Sequence, residues 1–403
     1  MLRFTTAGES HGPALVSVLE GMPAGIPLLA DDVNVQLARR QAGYGRGRRM
    51  QIELDVIEWL SGVRAGETIG SPIAMLVRNR DWRNWQEIMD PAPSAGESAT
   101  GTARKRAVTR PRPGHADLAG MLKYDRGDAR DILERASARE TTARVAAGAV
   151  CRAFLGKLGV SIGSHVVALG DVVARVPDRL PAELNVSSDA SPVRTLDSDA
   201  EARMITLIDE AKRSGDTLGG TCEVVVTGLP VGLGSHVSWD RKLDGRLAAA
   251  LMSIPAVKGV EIGLGFQAAR LPGSRVHDEI DPDDGAVSRG RLSRRSNNAG
   301  GLEGGMTTGE PLVLRAAMKP ISTLMRPLAS VEMTTRESAA STVERSDVTA
   351  VPAMGVIAEA MAAFVLADAM LEKFGGDSLR EVLRNREGYM RYLAERDAGQ
   401  KSE

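Results

Sequence analysis

The chain has 403 residues, of which 43% are hydrophobic and 26% charged, and its formal net charge is −1. This composition is typical of a globular protein with a substantial core. Aromatic residues make up only 3% of the chain, which argues against a stacking surface for single-stranded nucleic acid.

Signals for export, membrane insertion or metal binding are weak in this sequence. The first residues, MLRFTT, lack the charged and apolar regions of a signal peptide. No apolar run approaches the roughly 20 residues needed to cross a bilayer. The two cysteines, Cys151 and Cys222, are too few for a disulfide framework or a zinc set. We therefore expect a cytoplasmic protein with no membrane, nucleic-acid or metal partner.

Periodicity predicts both strands and helices. Apolar, β-branched runs predict strands at residues 14–19, 73–77, 223–227 and 312–316. Alanine-rich segments at 141–158 and 353–374 predict helices that are apolar on more than one face and therefore buried. Small and turn-forming residues predict a loop over 90–103, and the polar chain after Leu393 is expected to fray. The fold class predicted is α+β, a layered β-α-β sandwich with antiparallel sheets around buried helices.

Three pairs of similar segments predict an internal duplication. The glycine spacing of 8–25 recurs at 215–232, GSPI at 70–73 resembles GEPL at 309–312, and ERAS at 134–137 resembles ERSD at 344–347. The pairs occur in the same order. We therefore expect one catalytic domain over 1–395, with related halves of about 1–195 and 196–395, insertions at 90–112 and 270–298, and a polar tail at 396–403.

Basic residues are concentrated in three short stretches. They are Arg39, Arg40, Arg46, Arg48 and Arg49; Arg104, Lys105, Arg106, Arg110 and Arg112; and Arg289, Arg291, Arg294 and Arg295. In a nearly neutral protein such groups favour a localised anion site over a broad nucleic-acid face. Solvated basic loops are the alternative, although alternation with glycine lets the backbone approach a ligand.

Two of the five histidines lie in constrained loops. His11 lies in GESHG at 8–12, and His115 lies in RPRPGHAD at 110–117. A histidine can exchange protons near neutral pH, but an isolated loop histidine can equally be structural or exposed. No H-x-x-x-H, H-E-x-x-H or C-x-x-C spacing is present, so no metal site is predicted.

Known nucleotide and hydrolase patterns fit poorly. GESHG matches the nucleophile-elbow pattern, but Pro13 and a strand-like run follow it where a helix is required. P-loop and Rossmann glycine patterns are absent. The glycine-rich run 298–305 could cradle a phosphate or be a flexible turn. Lys319 with the hydroxyls of Ser322 and Thr323 suits phosphate.

Local sequence also gives plain structural explanations for two polar residues. Ser137 is a candidate helix N-cap with Glu140 as its capping-box partner, although a helix N-terminus flanked by arginines also attracts anions. Asp347 is a candidate cap for the helix that follows it. Both residues therefore keep a structural and a functional interpretation.

Eight motifs, in order along the chain, resemble those of the chorismate synthase family. They are GESHG (8–12), GRGRRM (45–50), RPGHAD (112–117), RASARET (135–141), GDTLGG (215–220), SIPAVKG (253–259), NAGGLEGG (298–305) and RSDVTAVPA (345–353). The only departure noted is Ala136, where many members carry serine. The resemblance implies a lyase that converts 5-enolpyruvylshikimate 3-phosphate to chorismate and phosphate by 1,4-anti elimination, in the shikimate pathway to aromatic amino acids, with reduced FMN.

The resemblance also implies roles for particular residues. His11 would protonate the leaving phosphate, His115 would exchange a proton with the flavin, and Asp347 would serve through flavin N5 in removing the C6 proton. Substrate binding is implied for Ser10, Arg40, Arg46, Arg49, Arg112, Arg139 and Arg345. FMN binding is implied for Arg135, Ala136, Ser137, Gln267, Ala268, Gly304, Lys319, Pro320, Ile321, Ser322, Thr323 and Arg345.

Several properties follow only from the family. It implies a homotetramer. NADPH is expected as an indirect reductant at most, with an external flavin reductase supplying reduced flavin, and Arg40 and Arg46 are assigned to substrate rather than NADP. The alternatives are a flavin carrier or reductase without lyase activity, and an RNA-binding protein, which the neutral charge disfavours.

Overall fold

The computed structural model describes residues 1–47, 54–92, 107–282, 292–344 and 347–399. Its strands are, in chain order, β1 (Arg3–Ala7), β2 (Ala14–Glu20), β3 (Ile57–Ser61), β4 (Val63–Arg64), β5 (Glu67–Thr68), β6 (Ile73–Arg78), β7 (Ser161–Leu169), β8 (Val172–Val173), β9 (Gly220–Thr227), β10 (Val257–Ile262), β11 (Ile280–Pro282), β12 (Leu292–Arg294), β13 (Leu302–Glu303), β14 (Met306–Thr307), β15 (Leu312–Met318), β16 (Ala329–Val331) and β17 (Ser338–Ala340).

The helices lie between and after these strands. They are α1 (Ala30–Gln41), α2 (Asp117–Tyr124), α3 (Arg130–Ala136), α4 (Thr141–Lys157), α5 (Leu184–Asp189), α6 (Ser198–Ser214), α7 (Leu243–Met252), α8 (Val351–Phe374) and α9 (Leu379–Gly399). The predicted strands and the two predicted helices are all present, with ends shifted by at most a few residues.

Two antiparallel sheets enclose a layer of helices. The first sheet has the order β1-β2-β6-β3 and the second β10-β15-β9-β7-β8. Helix α4 packs on the first sheet, α8 packs on the second, and the two helices pack on each other. Small residues allow this approach, since a Cβ added at Gly148 would lie 2.4 Å from the Cβ of Ala360. The predicted α+β sandwich around buried helices is confirmed.

The two sheets share one topology. In each, one strand (β1; β7) pairs with a second (β2; β9), the second pairs with the last strand of the sheet in sequence (β6; β15), and an intervening strand (β3; β10) forms the far edge. The short strand β8 extends only the second sheet, beyond β7. Each set is followed by its long buried helix, α4 or α8. Strand β7 is hydrogen-bonded to β9, so the second sheet starts at Ser161 in sequence. The internal duplication, with halves of about 1–195 and 196–395, remains a prediction.

Helix α8 is the buried helix predicted over 353–374. Helix α8 is long and apolar enough to cross a membrane by length and composition, although 89% of its most apolar window is buried inside the protein. Glu359 and Asp368 interrupt its apolar run. The chain after Leu393, expected to fray, continues as helix α9 through Gly399.

Candidate active site

His11 is bound by a carboxylate from a distant part of the chain. Its Nδ1 lies 2.9 Å and 3.0 Å from the two carboxylate oxygens of Glu134, and its backbone N–H donates to Glu134 Oε2 at 2.8 Å. Burial alone would raise the pKa of Glu134, but hydrogen bonds from His11 and the charges of His11 and Arg130 lower it. An ionised carboxylate only accepts hydrogen bonds, so Nδ1 is the donor nitrogen of His11.

His115 has the same kind of partner. Its Nδ1 lies 2.5 Å from Asp117 Oδ1, and Asp117 is fully buried. Arg112 donates to Asp117 from its backbone N–H, its Nε and its Nη2. Despite burial, which would raise it, the hydrogen bonds from His115 and Arg112 hold the pKa of Asp117 well below its usual value. The carboxylate therefore stays ionised and holds the His115 loop together.

Asp347 does not cap the helix that follows it. Helix α8 begins at Val351, and its N-cap residue, Ala350, makes no side-chain capping bond. Instead Asp347 accepts a hydrogen bond from the Gly47 N–H at 2.6 Å and lies 3.2 Å from Arg46 Nη1. The capping interpretation is therefore wrong, and Asp347 joins the loop after α1 to the loop before α8.

Arg40 and Arg139 share a single buried carboxylate. Arg139 Nη1 donates to Asp55 Oδ1 at 2.6 Å, and Arg40 Nη2 donates to Asp55 Oδ2 at 3.2 Å. Burial and the like charges of Arg139 and Arg46 lower the pKa of Arg40 to about 10, although Asp55 opposes the shift. The Nε of Arg40 is buried and has no hydrogen-bond partner among the residues that the structure describes. Two cations on one anion leave excess positive charge, which suits an anionic ligand.

Asn79 connects this arginine pair to the His11 loop. Its Oδ1 accepts from Arg139 Nε at 3.1 Å and Nη2 at 2.9 Å. Its Nδ2 donates to the carbonyl oxygens of Glu9, Ser10 and Gly12. The amide therefore positions the backbone on both sides of His11.

A series of direct contacts joins the remaining predicted loops. Val348 N–H donates to the Gly45 carbonyl, and Leu218 N–H donates to the Val348 carbonyl. The Thr217 hydroxyl donates to the Ile321 carbonyl at 2.7 Å, and Arg112 donates to the Thr323 hydroxyl at 2.9 Å. The loops that carry Arg46, Asp347, Thr323 and His115 are therefore in continuous contact.

The implied FMN residues fall into separate groups. Lys319 donates to the Gly114 carbonyl beside His115. Arg135 donates to the Thr6 and Gly8 carbonyls, and Ser137 donates to the Ser10 hydroxyl at 3.1 Å. Gln267 and Ala268 lie in a 3₁₀ turn, Gly265–Arg270. Gly304 lies in the turn between β13 and β14 with φ of +57°. Among the described residues no hydrogen bond or ion pair joins these last three to either histidine loop.

The local structure around Ser137 and Ser10 differs in part from the prediction. Ser137 caps the 3₁₀ turn Ala138–Glu140 by accepting from the Arg139 N–H, but Glu140 binds Thr6 and Arg144 instead of completing a capping box. Ser10 is buried and is followed by strand β2 instead of a helix, so the nucleophile-elbow match is coincidental. Arg49, Arg345 and most of the loop over 90–103 lie outside the described residues.

Other features of the described chain lie away from this site. Cys151 and Cys222 are buried and unpaired, and burial raises the pKa of the Cys222 thiol to about 12. No group of three or more metal-ligating side chains occurs within the described residues. An open cavity of about 410 Å³, lined by Arg179, Ser191 and Glu201 among others, contains none of the predicted site residues.

Sequence reasoning missed the partners that hold the site. Glu134 and Asp117 were recognised only as members of motifs, and Asp55 and Asn79 lie outside every motif. A short-range clue existed only for Asp117, two residues after His115. Glu134 and His11 are 123 residues apart, so no spacing rule connects them.

Two carboxylate-bound histidines and an excess of buried arginine make these loops a candidate enzyme site suited to an anionic ligand. The family model of chorismate synthase matches residues 2–371. The chorismate synthase of Geobacter sulfurreducens is 58% identical over 396 residues, 98% of this chain and 99% of that protein. That of Thermobifida fusca is 56% identical over 394 residues, covering 97% and 98%.

The fold agrees with these sequence matches. A crystal structure of chorismate synthase matches 97% of this chain and 98% of its own, with a TM-score of 0.76 and 44% identity. The chain belongs to the chorismate synthase family. As a member of that family it is an enzyme that acts on a small molecule.

Proposed function

We propose that this enzyme is a lyase that eliminates phosphate from 5-enolpyruvylshikimate 3-phosphate to form chorismate, with reduced FMN as cofactor. The observation that carries the proposal is a set of contacts that joins the loops of His115 and Asp347 and links the His11 loop through Asn79 to Arg139. An elimination of phosphate needs a proton donor for the leaving group and an acceptor for the carbon-bound proton. Two histidines and a carboxylate provide both.

The arginines provide the binding site for a substrate with a phosphate and two carboxylates. Like charges about 4–6 Å apart would repel by several kcal/mol in a low-dielectric site. Arg40, Arg46, Arg112 and Arg139 offer planar donors suited to carboxylate and phosphate, and Ser10 adds a hydroxyl. Arg40 and Arg139 are buried and paired with Asp55. We therefore propose that these two attract the substrate by their positive charge, and that Arg46 contacts the substrate directly. Arg49 and Arg345 complete the proposed binding set.

Proton transfer is assigned to three groups. With its Nδ1 donating to Glu134, His11 would deliver a proton to the leaving phosphate from Nε2. In the same way Asp117 orients His115 as the second proton-exchanging ring. Asp347 would hold the proton lost from C6 on a carboxylate oxygen once the substrate's anions compete for Arg46.

The residues near His115 fit the phosphate-bearing end of FMN. Lys319, Ser322 and Thr323 form a cation-and-hydroxyl set, and Gly114 lies so close to Lys319 that an added Cβ would be 3.2 Å from its Nζ. Arg135, Ala136 and Ser137, with Pro320 and Ile321, would hold the cofactor on that side, and Gln267, Ala268 and Gly304 would complete its site. Reduced FMN, when bound, would supply electron density while the C–O bond to phosphate breaks.

The cellular setting is part of the same proposal. The enzyme is expected to be a cytoplasmic homotetramer in aromatic amino acid biosynthesis. Reduced flavin would come from an external reductase, with NADPH as the indirect reductant. The quaternary state is checked by sedimentation of the purified protein.

The test is an anaerobic assay with 5-enolpyruvylshikimate 3-phosphate and chemically reduced FMN, followed by chorismate absorbance and phosphate release. Chorismate formed only with reduced flavin supports the lyase. Repeating the assay with NADPH and oxidised FMN separates an intrinsic reductase from an external one. Flavin binding without turnover would favour a carrier, and no flavin binding would overturn the proposal.

A further inference from the structure

The ring of His11 is held by more contacts than a proton donor alone requires. We propose that Glu134 is the positioning residue of His11: it fixes the ring with Nδ1 protonated, so that Nε2 exchanges the proton with substrate. The expected effect on kcat rests on the proposed lyase function. The protonation of the His11 ring nitrogens does not, because it can be measured on the ligand-free enzyme.

Glu134 binds the backbone and the ring of His11 together. One carboxylate oxygen accepts from the His11 backbone N–H at 2.8 Å, and both lie within 3.0 Å of Nδ1. The side chain of Glu134 is only 2% exposed, so water competes little for it. A carboxylate that only accepts, at this distance, selects one protonated nitrogen on the ring.

Trp85 fixes the plane of the same ring. The imidazole and indole centroids lie 3.7 Å apart with an interplanar angle of 27°. Trp85 Nε1 donates to Asp81 Oδ2 at 3.0 Å, which anchors the indole on its own turn. Glu134 therefore restrains one edge of the His11 ring, and Trp85 restrains one face. A loop histidine without a function does not need both contacts.

Arg130 keeps Glu134 in the accepting state. Its Nη1 donates to Glu134 Oε1 at 2.8 Å, and its guanidinium lies 5.0 Å from the Trp85 ring. Its Nη2 donates to Glu344 at 3.2 Å. Glu134 and Glu344 occupy matching positions of the similar segments ERAS and ERSD. Within the described part of the chain, Glu134 contacts a histidine whereas Glu344 pairs with Arg130. Arg130 therefore serves two carboxylates, of which one positions the ring.

This arrangement provides a matched pair of variants. Glu134→Gln and Glu344→Gln each remove one negative charge from Arg130, but only the first changes the partner of His11. Glu134→Gln is expected to lower kcat at least about 10-fold, since neutralising an orienting carboxylate can cost up to ~10⁴-fold, with KM for substrate changed less than about threefold. Glu344→Gln is expected to stay within about twofold of wild type in kcat.

The decisive readout is the protonation of the ring nitrogens in the full-length, ligand-free enzyme labelled with ¹⁵N-histidine. The His11 signals are identified by their loss in His11→Asn. We expect Nδ1 to be protonated from pH 6 to pH 9 in wild type and Glu344→Gln, and an Nε2-protonated form in Glu134→Gln.

An unprotonated Nδ1 in wild type would overturn the inference even if the glutamine variant did not fold. Equal kcat losses in the two variants would also overturn it, because the loss would then come from the changed surroundings of Arg130 and not from the changed partner of His11. If wild type makes no chorismate, the proposed function fails while the nitrogen measurement still decides the role of Glu134.

Discussion

Asp347 and Arg46 form an ion pair, with 3.2 Å between Oδ2 and Nη1, that joins loops about 300 residues apart in sequence. The neighbouring Gly47 N–H donates to the other carboxylate oxygen. An anionic ligand that binds Arg46 would compete with Asp347 for its guanidinium. Under the proposed function, substrate binding would therefore also release the base.

Replacement of Asp347 by asparagine tests this relationship. The amide oxygen can still accept from the Gly47 N–H, so the fold and the binding of both ligands are expected to persist. Loss of the proton acceptor is expected to lower kcat by about 10²–10⁴-fold. Rapid-quench kinetics and a substrate titration check this, and a lower melting temperature with unchanged kcat would contradict it.

Replacement of His11 by asparagine removes the proposed proton donor but retains a polar side chain near Glu134. We expect kcat to fall by about 10²–10⁴-fold, with substrate affinity changed only a few-fold, because the arginines hold the substrate. Steady-state kinetics together with equilibrium binding measure the two effects. A matched loss in affinity and in rate would show that His11 acts in binding.

Asp55 is expected to be a major contributor to stability. Asp55→Asn leaves Arg40 and Arg139 buried around a neutral group, and breaking a buried pair in this way costs about 3–5 kcal/mol of unfolding free energy. Urea denaturation measures the change. Glu58→Gln is the control, since Glu58 pairs with Arg78 on the exposed surface, and no measurable change is expected there. Equal effects in both variants would contradict the prediction.

Glu359 should make stability depend on acid pH. Burial would raise its pKa, but the charges of Arg39, Arg152 and Arg194 and the hydrogen bond from Arg39 lower it to about 2 from an ordinary 4.5. The folded state therefore binds this proton less readily than the unfolded state, so its stabilisation is present above pH 4.5 and is lost as the pH falls toward 2.

The size of this contribution is on the order of 3 kcal/mol at neutral pH. Unfolding free energies measured from pH 6 to pH 2.5 should show wild type losing stability more steeply than Glu359→Gln. The two proteins should approach each other at the acid end. Parallel plots of unfolding free energy against pH for the two proteins would mean that Glu359 has the same pKa in the folded and unfolded states, which would contradict the prediction.

The sequence alone determined several regular elements and the family. Apolar runs and alanine-rich segments placed β2, β6, β9, β15, α4 and α8, because strand alternation and helix burial are local properties of 5 to 20 residues. The ordered motifs identified the family. The paired glycine and ERxS/D segments predict a repeat, which remains a prediction.

Only the tertiary structure decided which groups hold the proposed reactive residues. Asp347 has a helix-capping sequence, yet its partners, Gly47 and Arg46, come from the other half of the chain. The carboxylate of Glu134 reaches His11 across 123 residues, and Asp55 pairs with two arginines from different helical segments. Local propensity carries no information about such contacts. They arise when packing of α4 and α8 between the sheets brings distant loops together and buried charges must find partners.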